Sequence, residues 1–80
     1  MKRLLHLVVN PATEHALEAI ALQAQGPHTR VTVVLGPAVP TPRLPEGVEA
    51  YRLEEPDGLP AIDHATLLEL IFDADTVITW

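Results

Sequence analysis

The sequence contains no cysteine and no serine. Serine hydrolase, cysteine protease, thiol redox, persulfide-carrying and zinc-thiolate chemistries therefore lack their central atom in this chain. A disulfide staple is excluded for the same reason. At 80 residues a domain buries only roughly 60 to 65% of its unfolded surface, so the core leaves a small stability surplus and a partner subunit is the usual supplement. Aromatic residues are scarce too, with one Phe, one Tyr and one Trp. Because 48% of the residues are nevertheless apolar, the core has to be built from Leu, Val, Ile and Ala. No apolar run approaches the roughly 18 residues of a membrane span. The apolar opening, residues 4–9, is broken by Asn10-Pro11 too early for a signal peptide, which predicts a cytoplasmic protein with no membrane contact.

Basic residues are few and unevenly placed. The formal net charge is −6. Residues 1–43 carry Lys2, Arg3, Arg30 and Arg43 against Glu14 and Glu18, net +2, while residues 44–80 carry Arg52 against nine acids, net −8. Binding to a nucleic-acid backbone needs a basic stripe, so no direct nucleic-acid contact is expected. The acid-rich stretch with Glu46, Glu49, Glu54, Glu55 and Asp57 reads either as a solvated rim or as a docking surface for a basic partner.

What is present is an alternation of strands and helices. Residues 4–9 are apolar except for His6, the pattern of a strand buried on both faces in the middle of a parallel sheet. Asn10 and Pro11 form a helix start. The periodicity predicts a helix over 11–25, with Ala16, Leu17, Ile20 and Ala24 on one stripe and Gly26-Pro27 ending it. Residues 30–35 form a second buried strand, and a stiff loop with Pro37, Pro40, Pro42 and Pro45 follows. Residues 48–53 alternate as a strand nearer an edge does, and 60–62 supply a short further strand. Asp63 or Thr66 caps a second helix running to about residue 73, and 76–79 close with a last strand before Trp80. The predicted fold is a single α/β domain, a small open and mostly parallel sheet of four to five strands with two main helices.

The second helix bears on partners. Leu67, Leu70, Ile71 and Ala74 form one stripe, while Leu68 and Phe72 lie roughly 100 to 140° round from Leu67. Two apolar faces on one short helix need two burials. One is the core; the other is a subunit interface or the margin of a wide core stripe.

The segment Ala61-Ile-Asp-His-Ala-Thr-Leu-Leu-Glu-Leu-Ile-Phe-Asp-Ala-Asp-Thr-Val-Ile-Thr-Trp80 resembles the C-terminal signature of the DsrH/TusB family of sulfur-relay proteins. Those chains carry an Ile-Asp-aromatic step, a Leu/Val-rich helix and a short strand finishing in Trp. The Leu/His-rich first strand closed by a polar residue and Pro is similar to the family's opening, and residues 47–58 are similar to its third strand with an acidic turn. The resemblance implies a DsrE-like fold and a cytoplasmic hetero-oligomer with DsrE/TusD-like and DsrF/TusC-like homologous subunits. That assembly passes persulfide sulfur toward 2-thiouridine synthesis on transfer RNA, or takes part in sulfur oxidation. Its indispensable cysteine belongs to the DsrE/TusD-type subunit. Some DsrH members have a cysteine of their own and this chain has none, so the resemblance implies a non-catalytic subunit without a cofactor. His64, where an aromatic is common, and a shortened stretch before Asp63 are further departures.

In open α/β sheets ligands sit beyond the carboxyl ends of the strands, which here are Asn10, Gly36 and the pair Asp63-His64. Asn10 presents amides to an anion or is a plain cap. Asp63 and His64 are an acid/base pair or, respectively, a helix cap and a solvated first-turn residue. His6, on the face of Leu4 and Val8, reads as a satisfied, half-buried histidine; with His15, His28 and His64 it shows no metal-ligand spacing, so no metal is expected. Leu68, Phe72 and Trp80 are the candidate interface residues, Trp80 being alternatively a cap on the core at the sheet edge. The competing reading is a stand-alone homo-oligomer that binds a small ligand or does acid/base work at Asn10, Asp63 and His64.

Overall fold

The computed structural model describes residues 2–10, 14–36, 39–54 and 59–80. The elements run β1 (Lys2–Val8), α1 (Glu14–Ala24), β2 (Thr29–Leu35), β3 (Glu49–Leu53), β4 (Ala61–Ile62), α2 (His64–Asp73) and β5 (Thr76–Thr79). The strands form one open sheet in the order β4-β3-β2-β1-β5, and every pairing is parallel. This is the predicted α/β architecture. The first strand is interior, between β2 and β5, but the middle place belongs to β2. The chain steps outward from β1 to β4, then crosses back to lay β5 on the other side of β1, so the order reverses there.

Alternation along the strands feeds two cores. Leu4, Val8, Val31, Val33 and Leu35 point to the side of α1 and bury Ile20, with Val39 of the proline-rich loop completing the layer. Leu5, Val34 and Leu53 point to the side of α2 and bury Leu67. The in-register pairs Leu4 with Val31 and Val8 with Leu35 place like with like on the first face, and each such side chain contributes about 1.5 to 3 kcal/mol when buried. The predicted helix stripes hold: Ala16 and Ile20 of α1 are buried, and Leu70, Ile71 and Ala74 of α2 pack against the second core. The expected start of α1 at Pro11 lies outside the described residues. Among the described residues no helix is long and apolar enough to cross a membrane.

Candidate functional site

The carboxyl edge of the sheet carries the residues singled out from the sequence, but does not gather them. Asn10 follows β1, whereas Asp63 and His64 follow β4, and three inter-strand spacings separate those strands, about 14 Å. Asp63 is the N-cap of α2: its Oδ1 accepts from the Thr66 backbone N–H at 2.8 Å. That hydrogen bond holds the Asp63 carboxyl below its ordinary value. His64 turns instead to Glu54 of the acid-rich stretch. Its Nδ1 lies 2.6 Å from Glu54 Oε1, both side chains being largely exposed. Glu54 sits at φ +64°, a left-handed conformation unusual for a side chain other than glycine or asparagine. Its backbone N–H donates to the Ile62 carbonyl at 2.8 Å, which continues the pairing of β3 with β4. A carboxylate beside an imidazole can orient a base. Here the pair faces solvent, and the chain has no hydroxyl of serine or thiol of cysteine for it to activate.

The reversal of strand order between β1 and β5 marks the crevice in which such sheets usually hold ligands. In this protein the Trp80 backbone is bonded to the end of β1 at that reversal. The Trp80 carbonyl accepts from the Val9 backbone N–H at 3.1 Å and from Asn10 Nδ2 at 3.4 Å, while the Trp80 N–H donates to the Leu7 carbonyl at 2.9 Å. The indole Nε1–H donates to His6 Nδ1 at 2.9 Å, with the two rings nearly parallel at 10° and centroids 6.1 Å apart. Since Nδ1 accepts, the proton of neutral His6 is on Nε2, and that nitrogen donates to Gln23 Oε1 of α1 at 2.5 Å. His6 is fully buried rather than half-buried, and satisfied through both nitrogens. The indole thus serves the core on the α1 side, the opposite face of the sheet from α2.

On the α2 side the outer helix face is open. Phe72 is 79% and Leu68 53% exposed, and Val77 of β5 is also exposed. Leu68 and Phe72 therefore share a face from which Trp80 is absent. Among the described residues the acid-rich stretch does not gather at one place either. Glu49 and Glu54 stand at opposite ends of β3, about 16 Å apart along the strand. Glu49 hydrogen-bonds the Arg30 guanidinium and holds it above its ordinary value. Glu46 is exposed in a turn, and Glu55 and Asp57 lie outside the described residues.

A residue missed from the sequence is Arg52, which is 1% exposed. Its Nη1 donates to the Gly36 carbonyl at 3.1 Å and its Nη2 to Thr41 Oγ1 at 2.6 Å, and Nε has no partner among the described residues. Arg52 ties the proline-rich loop to the ends of β2 and β3. Strand alternation placed it on the same side as Ala50, but nothing in the sequence showed that the loop would cover it. Among the described residues no group of three or more His, Cys, Asp or Glu side chains is placed to hold a metal. No family model matches the chain, and neither the curated proteins nor the solved structures contain a significant match.

Proposed function

We propose that this chain is a non-catalytic subunit of a sulfur-relay assembly of the DsrEFH/TusBCD type, supporting persulfide transfer toward 2-thiouridine in transfer RNA or sulfur oxidation. Its contribution is an interface, and the sulfur travels on a cysteine of another subunit. The observation that carries this reading is the outer face of α2, where Phe72 and Leu68 stand exposed on a helix whose other face is already spent on the core. Exposed large apolar side chains at i and i+4 on one short helix are the anchors of a helix face that docks on a partner. The absence of any thiol agrees with a supporting role, and the resemblance of the segment from Ala61 to Trp80 to the DsrH/TusB terminal segment supports the choice of family. The partners are DsrE/TusD-like and DsrF/TusC-like subunits in the cytoplasm.

Capture of the native particle on a tagged copy of this chain, from its own cells, tests the proposal. Recovery of a cysteine-bearing DsrE-like chain in stoichiometric amount is the expected result; recovery of this chain alone contradicts it. The competing reading of a ligand or acid/base site is weakened by geometry, since Asn10 follows β1 while Asp63 and His64 follow β4, three strand spacings or about 14 Å across the sheet, and the Asn10 side chain already donates to the Trp80 carbonyl.

A further inference from the structure

A parallel sheet covered by helices needs apolar residues on both faces, and the α2 face of this sheet departs from that at its amino end. Where Leu5, Leu7, Val34 and Leu53 give way along β1, β2 and β3, the same face presents Arg3, Arg30, Thr32, Glu49 and Tyr51. Between these strands and the last turn of α2 lies a cavity of about 270 Å³. Its floor is apolar, from Leu5, Leu70 and Ala74, and its rim is charged.

Two of the rim placements work against the fold. Arg3 and Arg30 are in register on adjacent strands, and like charges directly opposite are destabilising. Asp73 closes α2 at its carboxyl end, in a turn with no basic residue, where the helix dipole disfavours an acid. Glu49 neutralises Arg30. The Arg3 guanidinium and the Asp73 carboxylate remain. The ion pairs among the described residues are Arg30 with Glu49 and His64 with Glu54, so Arg3 and Asp73 line one cavity with opposite charges and do not neutralise each other.

We propose that this cavity binds a small zwitterion with an apolar body, of the class of a free aliphatic amino acid. The ligand carboxylate sits on the Arg3 guanidinium. The ammonium sits at Asp73 and the carbonyl end of α2, which attracts a cation, and the side chain lies on Leu5, Leu70 and Ala74. The volume is just under the roughly 300 to 1,000 Å³ of sites for drug-sized ligands, which suits an amino acid. The site lies at the amino edge of the sheet and stands independently of the subunit reading.

The test is an NMR titration of the full-length, isotope-labelled chain with L-leucine. Saturable shifts of the Leu5, Thr32 and Ala74 amides are expected. Isocaproate, which lacks the ammonium, and isoamylamine, which lacks the carboxylate, should each bind at least about tenfold more weakly, the loss that follows from removing one charged hydrogen bond. Arg3→Met and Asp73→Asn should each weaken leucine binding by about the same factor with no fall in Tm. No saturable shift with leucine, equal binding of either analogue, or undiminished binding by both variants would overturn the proposal.

Discussion

His6 shows how one polar side chain is accommodated in a small apolar core. A buried imidazole with both nitrogens engaged links β1 to α1 through Gln23 and to the end of β5 through Trp80. Its removal leaves an indole N–H and an amide oxygen without partners, and leaving such groups unsatisfied costs more than the hydrogen bonds themselves contribute. His6→Ala should lower unfolding free energy by about 2 to 4 kcal/mol in urea titrations followed by the fluorescence of Trp80, the only tryptophan. A loss within the noise of a surface substitution would mean that the network contributes nothing. Asp63 carries a prediction with a pH sign. Its carboxyl is held down chiefly by the Thr66 backbone N–H, so the stabilisation is present above the unfolded carboxyl value near 3.9 and is lost as pH falls through the lower folded value. Asp63→Ala should therefore reduce Tm at neutral pH, and the gap to the parent protein should narrow on acidification below about pH 4. A gap that is constant from pH 7 to strongly acid solution would contradict the cap assignment.

At the scale of the element, α2 is the informative helix because neighbouring leucines have opposite fates. Leu67 is buried in the second core and Leu68 is exposed. Leu67→Ala should cost about 2 to 5 kcal/mol. Leu68→Ala should change the stability of the isolated chain by no more than about 0.5 kcal/mol. Comparable losses at both positions in chemical denaturation would show that both helix faces belong to the core. That split was legible beforehand, since a step of 100° per residue separates the Leu67, Leu70 and Ile71 stripe from Leu68 and Phe72. Trp80 was not legible in the same way. Sequence alone left its indole between core and interface, and only the pairing of β5 with β1, which brings it beside His6, decided where it lies.

For the whole molecule, parallel architecture followed from buried strands separated by helices, and β5 was placed to the residue by its Thr-Val-Ile-Thr run. The sheet order was harder to read. It is set by which strand edges remain free when α2 crosses the sheet, a long-range matter that no local pattern records, and it moved Asp63 and His64 away from Asn10. The pairing of His64 with Glu54 and the burial of Arg52 were hidden for the same reason, since each depends on neighbours from other parts of the chain. Among the described residues the large apolar side chains left exposed are Val9, Leu22 of α1, Val77 of β5, and the pair Leu68 and Phe72 that shares the outer face of α2. A chain of this size gains from covering such a face, and the account rests on its being covered by a partner.

The most direct test compares particle mass by sedimentation velocity for the parent chain and for Leu68→Glu with Phe72→Glu, each co-expressed with a cysteine-bearing DsrE-like homologue from the same cells. Charges in the centre of an apolar contact remove it by desolvation cost, while the exposed positions leave the fold intact. If the proposed subunit role is right, the parent chain sediments in a complex with the DsrE-like protein and the double variant sediments as a folded, uncomplexed chain. An unchanged complex in the double variant, or no complex with the parent, would contradict it.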